Sequence, residues 1–103
     1  MTFKTQYGTY ENCYLIKDNY PKDGSLYLQL WNDEDGPIAT LTKCLPDSIL
    51  MENKSYVDTN NIPTVLDFIE EYKLGEVIGF KGSGYCTYPL VKFNMDEVNK
   101  YVR

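Results

Sequence analysis

The pattern of apolar and polar positions predicts one long helix in the second half of the chain, within the stretch 56–75. Apolar residues recur there at three- and four-residue spacing and form a wide apolar face, made by Ile62, Val65, Leu66, Phe68, Ile69 and Tyr72. The polar run 58–61 favours turns and helix caps, Pro63 suits a first helical turn, and Gly75 is expected to end the helix. A helix with one apolar face needs a surface to cover, so we expect it to pack on a sheet.

Alternation of apolar and polar residues predicts strands on both sides of this helix. The clearest is 26–32, whose three leucines are expected to face the core while Trp31 and its alternate neighbours face away. The segment Asp33–Gly36 is then a hairpin loop, because Gly36 tolerates a positive φ. Shorter segments predict further strands at residues 3–7, 12–17, 37–45, 76–81 and 85–93. Pro89 makes the last of these an edge or bulged strand.

Short connections between these strands favour antiparallel pairing. Asn94 is expected to cap a last short helix, with Glu97 at the capping-box position. Residues 49–51 are expected to form a short apolar turn, whose type the sequence does not determine. The predicted fold is therefore α+β and a single domain over residues 1–103. It has a mostly antiparallel sheet of about five to six strands, one long helix packed on a face and a short C-terminal helix.

Composition narrows the function classes. The apolar fraction of 43% speaks against disorder, and a net charge of -5 speaks against a broad phosphate-binding face. No run of 18 apolar residues and no signal peptide is present, and three widely spaced cysteines suit a reducing compartment. These features predict a cytoplasmic protein that does not enter a membrane.

The sequence offers little for catalysis. It contains no histidine, which removes the commonest general base and metal ligand. Cys13, Cys44 and Cys86 lack the paired spacing of a zinc site, so we expect them to be packing residues. The carboxylates at 33–35 and 70–71 are expected to be solvated. We therefore predict no enzyme activity, no cofactor and no bound metal.

One segment partly matches an RNA-recognition strand. Lys81-Gly82-x-Gly84-Tyr85-x-x-Tyr88 follows much of the known pattern, but Ser83 replaces a stacking aromatic residue. The alternative is a simple glycine hairpin. The candidate nucleic-acid contacts on the first interpretation are Lys81, Tyr85 and Tyr88.

Several short segments also resemble, in order, those of one known family. They are residues 28–30 (LQL), 35–42 (DGPIATLT), 44–46 (CLP), 56–61 (YVDTNN) and 84–90 (GYCTYPL). The family is a small domain of unknown function carried on conjugative elements and prophages of gut bacteria, and the resemblance covers about residues 14–93. It implies no activity and no catalytic residues. It implies accessory cargo of a mobile element, and small acidic cargo of this kind often blocks a host-defence system.

The expected function is therefore non-enzymatic inhibition of a host-defence nucleoprotein, of the anti-CRISPR or anti-restriction type. The protein partner would be a CRISPR effector or a restriction enzyme, bound through acidic surface that competes with phosphates. The candidate partner-binding residues are Trp31, Asp33, Glu34, Asp35, Asp67, Glu70 and Glu71. The alternative is a small nucleic-acid-associated or protein-interaction module that uses strand 81–88. The sequence leaves the oligomeric state open.

Overall fold

The computed structural model of this chain describes residues 1–45 and 53–103, which form three small antiparallel sheets and two short helices. Strands contain 50% of these described residues and helices 12%, so this part of the chain is mostly β. The turn predicted at residues 49–51 lies outside the described residues. In chain order the elements are β1 (Phe3–Thr5), β2 (Gly8–Tyr10), β3 (Tyr14–Asn19), β4 (Leu26–Asn32), β5 (Gly36–Thr40), β6 (Thr42–Lys43), β7 (Lys54–Val57), α1 (Val65–Glu71), β8 (Gly75–Ser83), β9 (Cys86–Phe93) and α2 (Met95–Asn99).

The long helix predicted within residues 56–75 is wrong, and so is the α+β architecture built on it. Helix α1 is short because the chain before it is extended in β7, which pairs with β6. The Asp58 carboxylate then accepts hydrogen bonds from the backbone N–H (3.3 Å) and the side-chain amide (2.8 Å) of Asn61, which stabilise a turn. The helix begins only at Val65, so Pro63 lies outside it.

The end of α1 also differs from the prediction, since Lys73 rather than Gly75 has the left-handed conformation (φ 55°). The N–H groups of Lys73 and Leu74 donate to carbonyls of the last helical turn at 3.1 and 2.9 Å, as in a Schellman motif. Gly75 instead begins β8, where a Cβ would lie 2.6 Å from the Lys92 carbonyl oxygen. The close approach of β9, not the backbone angle, requires glycine at this position.

Strands β3, β4 and β5 form one sheet, and β4 confirms the clearest of the strand predictions. Its leucines are fully buried, whereas Trp31 and its alternate neighbours are half-buried on the opposite face. The loop to β5 is the predicted hairpin, with Gly36 at φ 74°. A register shift between Leu30 and Trp31 lets Trp31 lie opposite Pro37 at the start of β5.

The largest sheet has the order β6–β7–β9–β8, which leaves β8 at one edge of the described sheet. Strand β9 lies inside the sheet, but β7 pairs only with its residues 90–92. Pro89 therefore lies in the part of β9 that β8 alone pairs, and its missing N–H interrupts no bond to β7. A bulge at Ile78 lies on the β8 side of this pairing.

The main core is enclosed by the sheets and α1. Phe3 of β1 packs edge-to-face against Phe68 of α1 with ring centroids 5.2 Å apart, so the N-terminal hairpin is attached to the helix. A second cluster of buried residues consists of Leu45, Tyr56 and Tyr88. The larger cluster takes in residues from all three sheets and both helices, which makes the chain one packed unit.

Helix α2 has the predicted N-cap, because the Asn94 side chain accepts from the N–H groups of Asp96 and Glu97 (3.1 and 3.4 Å). The chain then returns to β3, where the N–H of Arg103 donates to the Leu15 carbonyl at 3.0 Å. This bond brings the C-terminal arginine next to the loop between β4 and β5.

Candidate interaction surfaces

The predicted acidic hairpin tip between β4 and β5 is partly neutralised. Asp33 accepts from the Arg103 guanidinium at 2.7 Å and from the Tyr14 hydroxyl at 3.2 Å. Arg103 also lies over the Tyr14 ring, 4.2 Å from its centroid. Asp35 accepts from the Asn32 side chain at 3.1 Å. The tip therefore exposes less unpaired negative charge than its sequence suggests.

Trp31, the candidate partner anchor, makes its contacts within its own sheet. Its indole N–H donates to Gln29 at 2.6 Å, and the ring lies half-buried on the outer face of its sheet. Tyr14 is its register partner on β3, so the two aromatic side chains lie side by side on that face. Trp31 thus belongs to a packed outer layer that also includes the ring beneath Arg103.

The acidic face of α1 is exposed and unpaired. Val65, Phe68 and Ile69 bury the inner face of the helix. Its outer face presents Asp67, Glu70 and Glu71, all exposed. None of these three carboxylates has an ion-pair partner within residues 1–45 and 53–103. The two acidic clusters therefore differ: the hairpin tip has one carboxylate paired with Arg103, whereas the carboxylates of α1 are not paired within the described residues. The stronger negative charge lies on α1.

The three candidate nucleic-acid contacts do not form one binding face. Tyr85, in the β8–β9 loop, is fully exposed. Tyr88 is buried against Tyr56, and the Lys43 ammonium lies 5.6 Å from its ring centroid. Lys81 is the register partner of Tyr88 and is half-buried. A base cannot stack on a buried ring, so Tyr88 cannot play the role that the RNA-recognition pattern gives it.

The sequence prediction missed an apolar edge formed by β8. Val77, Ile78 and Phe80 are exposed on this strand, with 69% of the Phe80 surface accessible, and Tyr85 follows in the loop to β9. An exposed edge strand offers unpaired backbone groups as well as side chains to a partner. The available signal was the sequence VIGF, whose apolar residues do not alternate as they would with one buried face. We name this surface the β8 edge.

A cleft of about 520 Å³ lies between the N-terminal hairpin, β5 and the turn before α1. Its lining residues are Phe3, Thr5, Gln6, Tyr7, Tyr10, Ile38, Ala39, Thr40, Asp58, Asn61, Ile62, Pro63 and Thr64. The hairpin is held over the turn because the Thr64 hydroxyl donates to the Lys4 carbonyl at 2.9 Å. No single motif predicts this cleft, since its walls come from three distant parts of the chain.

The thiols and carboxylates offer no metal site in the part of the chain that the structure describes. Cys13 is buried, and desolvation raises the pKa of its thiol. Cys44 and Cys86 are half-buried, and all three cysteines are free. The described helices are also too short to cross a membrane.

Comparison with known proteins gives one result. A family model described as a domain of unknown function, DUF4313, matches residues 14–103. No curated protein and no solved structure gives a significant match. The match supports the family expected from the sequence and extends it to the C-terminal residue, whereas the expected carriage on mobile elements stays a hypothesis.

Proposed function

Since the chain belongs to the DUF4313 family, a domain of unknown function, we propose a role from its own surface. The protein acts without catalysis, by binding a basic protein partner through the β8 edge and the acidic face of α1. It is an accessory protein of a mobile element and inhibits a host-defence nucleoprotein of the CRISPR or restriction type.

The exposed β8 edge is the observation that carries the binding role. Monomeric proteins normally protect a long edge strand with charges or cover it, because it would otherwise pair with other chains. Strand β8 has a bulge at Ile78 and two charged residues, Glu76 and Lys81, yet Val77, Ile78 and Phe80 are exposed together. Apolar side chains at the centre of such a strand give a partner both backbone hydrogen bonds and desolvated area.

The acidic face of α1 supports a basic partner. Glu70 and Glu76 line the same shallow depression, which connects the end of α1 to the start of β8. Lys73 and Lys92 also line it and reduce its charge, so the unpaired negative potential lies mainly toward Asp67 and Glu71. A negative surface beside an apolar strand is complementary to an arginine-rich groove flanked by apolar residues. Nucleic-acid-binding effectors present such grooves to phosphates.

Charge reversal tests the electrostatic part of this proposal. Glu70→Lys with Glu71→Lys reverses two charges on α1, and Asp33→Lys with Glu34→Lys is the matched control at the hairpin tip. The control leaves Asp35 and its hydrogen bond in place. We expect the α1 pair to weaken binding by tenfold or more and the tip pair to have a smaller effect, since Asp33 is already neutralised by Arg103. Equal binding by wild type and the α1 variant would contradict the electrostatic proposal.

The partner is first captured from a host lysate that contains CRISPR and restriction systems. Its identity as a nucleic-acid-binding effector is the first requirement of the proposal. Ile78→Lys then tests the β8 edge, because a charge on an edge strand blocks strand pairing. Thr9→Lys is the charge-matched control on an exposed position of β2. Loss of partner binding in Ile78→Lys but not in Thr9→Lys supports the β8 edge as the binding surface. If Ile78→Lys binds the partner as tightly as wild type does, the β8 edge is ruled out.

A further inference from the structure

Asp58 is a buried acidic residue that lines a cleft. Its accessible fraction is 9%, and it lines the cleft between the N-terminal hairpin and β5. Its carboxylate accepts two hydrogen bonds from Asn61, a neutral residue. No lysine or arginine of the described segments forms an ion pair with it. Burying an unpaired charge is costly, so such a group is well suited to bind a positive ligand.

The rest of the cleft lining favours an organic cation. Aromatic residues Phe3, Tyr7 and Tyr10 line one side, and aromatic faces attract ammonium and guanidinium groups. Ile38 and Ile62 give apolar contact for a carbon chain. The cavity of about 520 Å³ lies within the range of small-ligand sites. A metal ion would need several further charged ligands, which this lining does not provide.

Two of the hydroxyl and amide groups that line the cleft can accept hydrogen bonds from a ligand. The Thr64 hydroxyl donates its proton to the Lys4 carbonyl and therefore offers only its oxygen to a ligand. One N–H of the Asn61 side-chain amide is directed to Asp58, and the amide carbonyl oxygen can accept from a ligand. A ligand with several N–H groups satisfies these acceptors, whereas an anion would meet a carboxylate of the same sign.

We propose that this cleft binds an organic cation, an alkylammonium or guanidinium group on an apolar stem, with Asp58 as the counter-ion and Tyr7 and Tyr10 as aromatic walls. The same chemistry occurs in free amines and in lysine or arginine side chains of a protein. The site is distinct from the β8 edge and α1. The proposal of cation binding therefore does not depend on the function proposed above. Part of its wall, residues 3–10, also lies outside the family match, which begins at residue 14.

Nuclear magnetic resonance titration of the whole chain tests the proposal. Butylamine and propylguanidine are the small-molecule cations, called the free amines below. Nα-acetyl-lysine amide and Nα-acetyl-arginine amide, called the blocked amides, are models of protein side chains, and each probe is added up to about 10 mM. Butyrate and butanol are the matched anionic and neutral controls. We expect saturable shifts at the backbone N–H groups of Asp58, Asn61 and Tyr7 with the cations only. Binding by the blocked amides but not by the free amines would assign the site to a protein ligand, and the reverse to a small molecule.

Three variants locate the binding. Asp58→Asn keeps an oxygen that accepts from the Asn61 N–H, so the turn is retained, and it should weaken cation binding at least about tenfold. Tyr7→Ala removes an exposed ring and should weaken it about two- to fivefold. Asp67→Asn, at an exposed carboxylate on α1, is the control and should leave the affinity unchanged.

The proposal is overturned if no cation gives saturable shifts, or if butanol binds as well as butylamine. It is also overturned if Asp58→Asn, shown to be folded by its spectrum, binds the cations like wild type. If Asp58→Asn does not fold, Tyr7→Ala decides between the outcomes. Tyr7 is 91% exposed, and its replacement does not disturb the core. Unchanged cation affinity in Tyr7→Ala would then reject the aromatic wall and the proposed site.

Discussion

Replacing Gly75 with alanine separates the sequence-based and the structure-based explanations of this residue. If Gly75 ended a long helix in a left-handed conformation, the cost of alanine would be one of backbone strain. In the structure its φ is not left-handed, and the added Cβ would lie 2.6 Å from the Lys92 carbonyl oxygen and 2.8 Å from Val91 Cγ1. The first contact is with backbone, which cannot move without shifting β9 against β8.

The magnitude follows from overpacking. Forcing extra carbon into a packed site costs about 1–3 kcal/mol, and a backbone contact is at the upper end of this range. For a domain of this size each kcal/mol lowers the melting temperature by about 4–8 °C. Gly75→Ala should therefore lower it by about 10 °C or more. Urea and thermal unfolding followed by circular dichroism measure both quantities.

Two matched variants complete the test. Gly82→Ala, on the same strand, places a Cβ no closer than 3.9 Å to any neighbour and should change stability by less than about 0.5 kcal/mol. Lys73→Gly relieves the left-handed residue at the end of α1 and should stabilise by up to about 1 kcal/mol. If Gly75→Ala is as stable as Gly82→Ala, the close approach of β9 does not explain the glycine at position 75.

Three further predictions concern the core, the titrating groups and the thiols. Ile69→Ala, at a buried position of α1, should destabilise by about 2–5 kcal/mol in urea unfolding, and an effect near zero would place that helix face wrongly. Burial raises the pKa of the Cys13 thiol and of the Tyr20 hydroxyl, so their protonated forms favour the folded state. Stability should thus be retained below the ordinary thiol pKa of 9.0 and fall as the pH rises above it, and Cys13→Ala should reduce the slope of stability against pH. Native mass spectrometry should give the mass of the chain with three free thiols and no metal, and one stoichiometric zinc would contradict the view of the cysteines as packing residues.

Local signals predicted the parts of the fold that local chemistry determines. The alternation in β4 reports a sheet with one buried face, and the hairpin at Gly36 needs a residue that tolerates positive φ. Asn94 caps α2 through its own side chain, a contact within three residues. Each of these features depends on neighbours in sequence, so sequence reasoning identified them.

The long helix was wrong because contacts distant in sequence compete with its helical period. Tyr56, at the start of this stretch, pairs with Lys43 and Leu90 in a sheet and is buried there. The polar run after it forms turns, with Asp58 bound to Asn61 rather than to a helical N-terminus. Pairing in a sheet outweighs intrinsic propensity over a segment this short.

The candidate site was predicted only in part, for a related reason. The exposure of the α1 carboxylates follows from the helical period, and the sequence predicted it. The pairing of Asp33 with Arg103 joins residues that are 70 positions apart in the sequence, and no local pattern reports it. The β8 edge and the cleft around Asp58 depend on which strands lie at a sheet edge and which segments meet, and this information is in the topology alone.

The most direct test of the central claim is hydrogen exchange of the protein alone and with its captured partner, read peptide by peptide. The proposal predicts slower exchange of backbone N–H groups in β8 (Gly75–Ser83) and in α1 on binding, because the partner covers the edge strand and the acidic helix. The loop at residues 33–35 should exchange as before. Protection confined to that loop or to β3–β5, with β8 unchanged, would contradict the claim that the β8 edge is the binding surface.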